Sequence, residues 1–282
     1  MKKHFLIACV LLKLSAQAQV ENRATLTYGY FAPSNNNAIQ NFNQSNLEFG
    51  YNLNSKMIAK KVKWDNSFGY KLAYFDGGIT TDFQDISYAS SFVYTKNRKN
   101  FIIGNARINY RSQLIEAEKL NGNAFFPAVS VGYMRQSQTN KAIRWAAGIN
   151  YNNDFGKNVV LPFFIFNYET AKLKFNATLP TSILLLIREN PKFYYGLNAI
   201  LASSIFYTKL PDNQKIQILN ANMFAFAQIK LKDKLWLEAK PGFTIRRDYN
   251  TLDTDFKVEP IKGSQRFDPN FVFLTGLLYK MN

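Results

Sequence analysis

The chain has 282 residues, with 35 Lys and Arg against 19 Asp and Glu, and its net charge of +16 favours anionic partners. Its one histidine and one cysteine, His4 and Cys9, both stand near the start, so a chain cut after them has no thiol nucleophile, no imidazole base and no Cys/His zinc set. Aromatics make up 16% of residues while the mean hydropathy is −0.23, the balance of strands that face oil on one side and water on the other.

Residues 1–18 read as a secretory signal peptide: two lysines, an apolar run from Phe5 to Leu14 broken only by Lys13, then the small-x-small site Ala16-Gln17-Ala18. The run is too short to span a bilayer. The mature chain is expected to start at Gln19, with residues 19–282 forming one domain. A lipoprotein-style cut at Leu6-Ile7-Ala8-Cys9 is the competing reading, and it leaves too few apolar residues before the cysteine. Beyond Gln19 no apolar run is long enough for a transmembrane helix.

In chain order the predicted strands run from Arg23 to Pro33, to about Leu53 with a tight turn at Asn54-Ser55-Lys56, and on to Phe75. After the loop DGGITTDFQD come Ile86 to Thr95, the turn Lys96 to Lys99, and FIIGNARINY. The link SQLIEAEKLNG leads to Ala124–Gln136 and IRWAAGINYNN. The second half continues with Val159 to Tyr168, KLKFNATLP, SILLLIRE, FYYGLNAILASSIFY, IQILNANMFAFAQIKL and LWLEAKPGFTIRRDY. A polar stretch from Asn250 to Asn270 precedes FVFLTGLLY. That makes about 14 segments, an even count with short and long connections alternating, as in an outer-membrane barrel. The brief links at Asp154-Phe155-Gly156 and Leu179-Pro180-Thr181 break the rhythm, which makes 12 the alternative count.

Period-two alternation gives each strand two faces. In FIIGNARINY, Ile102, Ala106 and Ile108 oppose Asn105, Arg107 and Asn109. KLKFNATL and LWLEAKPGFTIR alternate likewise. VVLPFFIF and SILLLIRE are apolar on both faces, which suits a plug or a filled interior. The fold class that follows is all-β: a single antiparallel transmembrane β-barrel. A lipid-facing arginine near the midplane costs about 2–4 kcal/mol, so the charged face is assigned to the lumen. Lys61, Lys63, Lys71, Arg107, Arg144, Lys172, Lys174, Lys240 and Arg246 are assigned there, against Glu48, Asp65 and Glu238. Such a lining favours small anionic solutes if the lumen is open. Tyr28, Tyr30, Phe31, Tyr94, Tyr110, Tyr151 and Tyr168 are the expected interfacial girdles.

The signal ending AQAQ, the segment LPFFIFNYE with Pro162, Asn167 and Tyr168, and the second LP at Leu179-Pro180 resemble uncharacterised outer-membrane β-barrel proteins of Bacteroidota, a domain of unknown function. The resemblance implies an address in the outer membrane of a Gram-negative bacterium, contact with its lipid, and no assigned chemistry. The ending departs from it, since Tyr279 is trailed by Lys280-Met281-Asn282 where barrel assembly signals end on an aromatic.

No cofactor is expected and no nucleic-acid partner, because the basic residues are spread around the strands. Gly77-Gly78 is turn chemistry, with no GK[ST] helix start after it. Two other functional classes remain to be weighed: a secreted soluble or peripheral β-protein binding an apolar ligand, and a barrel hydrolase using carboxylates such as Glu116, Glu118, Asp253 and Asp255. A loop calcium site at Asp248, Asp253, Asp255 and Glu259 matches no established loop spacing.

Overall fold

Alternating sequence becomes strand wherever one face can be buried against oil and the other wetted. The structure, a computed structural model, describes residues 22–34, 42–59, 61–76, 82–114, 122–154, 158–208, 215–252 and 264–280. The expected signal peptide and the carboxylates Glu116, Glu118, Asp253, Asp255 and Glu259 lie outside these residues. The strands are β1 (Asn22–Ser34), β2 (Phe42–Ala59), β3 (Val62–Asp76), β4 (Phe83–Thr95), β5 (Asn100–Gln113), β6 (Phe125–Gln136), β7 (Ile143–Asn152), β8 (Val159–Glu169), β9 (Leu173–Leu179), β10 (Ser182–Asn190), β11 (Phe193–Tyr207), β12 (Lys215–Lys232), β13 (Leu235–Leu252), β14 (Ser264–Phe267) and β15 (Asn270–Lys280).

Each strand from β1 to β13 pairs antiparallel with the next, β13 with β15, and β15 with β1. Fourteen strands thus close into a barrel, a transmembrane-type fold in which the sheet satisfies its own backbone all the way round its lower part. The short β14 is an addition on the upper part of β13. Both ends of the ring's chain, Asn22 and Lys280, meet at one rim. That rim also carries the short turns, among them Asp233-Lys234, where Asp233 sits at φ 39°, a conformation in which Asp is enriched. We call it the lower rim.

The expected turn at Asn54-Ser55-Lys56 is corrected by the register. β2 runs on to Ala59, and pairing slips from Leu53↔Asn66 to Lys56↔Trp64, so the polar residues are absorbed in a bulge.

The outer surface is apolar, with Val160, Leu197 and Phe243 each about 60% exposed (62%, 58% and 63%) and Leu26, Tyr28, Ile108 and Tyr151 beside them. Small residues let large ones lie flat on this surface. A Cβ on Gly104 would sit 2.3 Å from the ring of Phe92, so the ring would have to swing away to admit any larger residue. Two of the expected girdle residues turn out otherwise: Phe31 (5% exposed) packs inside with Phe224 and Val272, and Tyr110 (6%) is buried with Ala124 and Tyr207. Phe31 is one residue out of step with Tyr28 and Tyr30, so the pleat sends it inward.

The upper part of the barrel does not continue the lower one. β5 pairs with β6 up to Tyr110↔Phe125; above that, Ser112 of β5 bridges Tyr207 of β11 in parallel. The top of β11 has taken the place of β6. A narrower upper ring therefore closes through β1–β5, β11–β13 and β15, leaving β6–β10 aside. Its inside is solid with Phe83, Phe206, Ile216, Ile218, Tyr249 and Phe267, the rings of Phe83 and Phe206 lying 4.7 Å apart. Rings of about eight strands are just wide enough for side chains to fill, which is why this end is packed.

Leu197→Arg is expected to cost about 2–4 kcal/mol of folding stability in lipid vesicles, measured by urea titration, with Leu197→Met within 1.5 kcal/mol of the parent.

Candidate functional site

Asp154 ties the two storeys together. It follows β7, and its carboxylate takes Arg107 Nη2 at 2.7 Å and Arg111 Nη1 at 2.7 Å, both from β5. Its backbone carbonyl accepts from Ser203 Oγ of β11 and from Gln217 Nε2 of β12. Arg111 is buried and donates through Nε to Asp85 of β4 at 2.8 Å, while the Asn109 amide oxygen, suitably turned, accepts from Arg107 Nε and Arg111 Nη2. Two arginines thus meet two carboxylates, and their charges cancel. Nonpolar packing of Phe126, Ile205 and Leu252 accompanies this knot.

Below the upper ring lies a chamber of about 280 Å³ against β1, β9–β13 and β15. Lys174, Lys240 and Lys280 face it, with Glu238 as the one carboxylate among the described residues of its lining. Lys240 pairs with Glu238 at 2.7 Å, Gln228 donates to Glu238, and Lys280 Nζ donates to Gln228 Oε1 at 2.7 Å. Lys280 also lies over Trp236 (4.3 Å) and Tyr194 (4.6 Å), a cation held on aromatic faces. Leu184 and Leu186 complete the lining, which accounts for the two-faced apolar pattern of SILLLIRE.

A second cavity, about 390 Å³, opens among the lumen faces of β4–β9. Leu161, Phe163 and Ile165, the inward residues of VVLPFFIF, line it with Asn105, Asn150 and Arg107.

The residues expected in the lumen divide as follows. Lys63 pairs with Asp65 (3.5 Å), Lys71 with Glu48 (2.8 Å), Arg107 with Asp154, and Lys240 with Glu238. Lys174 faces the lower chamber, Arg144 stands opposite Asn167, and Lys172 is exposed in the β8–β9 turn. Arg246 departs from its expected place. The register slips between Asn222↔Thr244 and Ala221↔Arg246, so Arg246 shares the face of Ala221 rather than that of Lys240, and it pairs with Asp248 at 2.6 Å.

Reading by residue did not single out Arg111, Asp85, Asp154 or Lys280. Arg111 had a signal, since it continues the same-face series Asn105, Arg107, Asn109. Asp154 had none, because only the inward fold of β11 brings β7, β5 and β12 to one point.

The family model for a domain of unknown function (DUF6268) matches residues 105–280. The chain belongs to this family. No curated protein matches it in sequence. Among solved structures it is similar to an outer membrane channel from Pseudomonas putida F1, at 8% identity and TM-score 0.48, over 95% of this chain and 98% of that one. It is also similar to OprB from Pseudomonas putida, at 8% identity and TM-score 0.41, over 93% and 94%. A third likeness is to the translocator domain of the autotransporter NalP from Neisseria meningitidis, at 8% and 0.34, over 99% and 95%.

Removing one partner of a buried ion pair leaves the others uncompensated. Asp154→Ala is expected to lower stability by about 3–5 kcal/mol in detergent unfolding, and the loss is expected to be non-additive with Arg111→Ala. Lys63→Ala, at an exposed pair, is expected to cost less than about 1 kcal/mol in the same assay.

Proposed function

We propose that the chain is an integral outer-membrane β-barrel that passes small anionic solutes and is shut at its outer end when at rest. A closed sheet with an apolar outside and charged groups within is suited to a bilayer, and the first and last strand residues, Asn22 and Lys280, at the short-turn rim suit a periplasmic lower end. The observation that carries the solute class is the lower chamber, where three lysines face one glutamate. Other interior cations are held in ion pairs, Lys71 with Glu48, Arg107 with Asp154 and Arg111 with Asp85 and Asp154, whereas the chamber sets three lysines against one carboxylate. The aromatic filling of the upper ring is the closed gate. Transport rather than catalysis is the reading, as these charges hold one another and frame no reacting group.

Planar-bilayer recording tests this. The parent is expected to be nearly silent, while Phe83→Ala combined with Phe206→Ala gives frequent openings that favour chloride in a salt gradient. Adding Lys174→Glu and Lys240→Glu is expected to reverse that preference. Large steady openings of the parent, or cation preference in the opened variant, would contradict the proposal.

A further inference from the structure

The barrel wall has a notch. β9 has 7 residues and β10 has 9, and they turn at Pro180-Thr181, where Thr181 N–H donates to Thr178 O at 2.8 Å. A tilted strand needs about 9–11 residues to cross a bilayer, so β9 stops short of the outer interface. Pairing of β8 with β9 ends at Phe164↔Leu179, and pairing of β10 with β11 ends at Ser182↔Ile200. Above those pairs Val159–Phe163 of β8 keeps β7 on one side and has no strand partner on the other among the described residues, about 16 Å of strand at about 3.3 Å per residue. The top of β11 cannot supply one, since it has turned away to β5. Pro162 stands on this free edge, where a residue without an N–H is tolerated.

The 390 Å³ cavity lies directly behind the notch. Its lining runs from Leu179, Pro180 and Thr181 at the rim to the lumen side chains of β4–β7. The near part is oily, with Leu161, Phe163 and Ile165. The far part is polar, and Arg107, paired with Asp154 on its other side, is the one charged residue among the described residues of the lining. Ligand pockets of about 300–1,000 Å³ with apolar walls and a few placed polar groups are the usual binding architecture.

We propose that this cavity is a lateral binding site for a single-chain amphiphile with an anionic head, a long-chain carboxylate. The molecule enters sideways from the lipid through the notch. Its tail lies on Leu161, Phe163 and Ile165, and its carboxylate accepts a hydrogen bond from the guanidinium of Arg107, which Asp154 already holds through Nη2. The site is separate from the lysine chamber and asks nothing of the gate above it. It rests on the barrel standing in a bilayer, which the shift in gel migration on boiling reports independently.

The test uses the protein reconstituted in phosphatidylcholine vesicles, with spin-labelled stearate and its methyl ester as probes. Stearate is expected to show an immobilised, saturable component in the spectrum, and the ester a weaker one. Ser130→Trp, which fills the cavity from β6, is expected to abolish both. Arg107→Gln is expected to weaken stearate about tenfold and leave the ester unchanged, the signature of one lost charge-assisted contact. Each variant is first shown to keep its heat-dependent gel shift. No immobilised component in the folded parent, or one that Ser130→Trp leaves intact, would overturn the site. Equal effects of Arg107→Gln on acid and ester would overturn the carboxylate.

Discussion

In hydrocarbon a backbone N–H or C=O has no water to fall back on, so every strand must have a neighbour on each side. That requirement governs this structure more than any side chain does. Around the lower ring it is met by unbroken pairing from β1 to β13 and through β15 back to β1. Higher up, the brevity of β9 and β10 deprives β11 of its partner above Ile200. β11 meets the requirement by leaning inward until Tyr207 lies beside Ser112. One short hairpin therefore changes the cross-section of the whole barrel.

The remaining features follow from that change. A ring with fewer strands has a narrow interior, and aromatic side chains fill it. The strands left outside, β6–β10, enclose their own space, lined by the inner faces of β8 and its neighbours. Where β11 and β12 approach β5, buried backbone and guanidinium groups need partners, and Asp154 serves both sides at once. Lys174, Lys240 and Lys280 line the lower chamber, below the packed region.

Much of this was legible in the residues. Alternation in LWLEAKPGFTIR identified Leu235, Leu237 and Phe243 as exposed and Trp236 and Glu238 as buried, because a pleated strand leaves no other choice. The two-faced apolar runs VVLPFFIF and SILLLIRE were expected to face a plug or a filled interior, whereas their inward residues line the two cavities. Three matters were hidden. The bulge at Ile245 that moves Arg246 depends on the partner strand, not on its own sequence. The burial of Tyr110 and the bridge to Tyr207 join residues far apart in the chain, and pattern within a strand carries no such information. Lys280 looked like a blemish on an assembly signal, whereas the pleat that exposes Tyr279 sends it onto Trp236 and Tyr194.

The most direct measurement is a cross-link at the point where the sheet folds in. Ser112→Cys with Tyr207→Cys, in a chain otherwise left with no cysteine by Cys9→Ser, tests whether β11 lies beside β5. Mild oxidation of intact membranes should give an intramolecular disulfide in nearly all of this variant and none in a Ser130→Cys, Tyr207→Cys control. Failure of the first pair to cross-link while the protein remains folded would mean that β11 stands upright in the wall and that the barrel has one storey, not two.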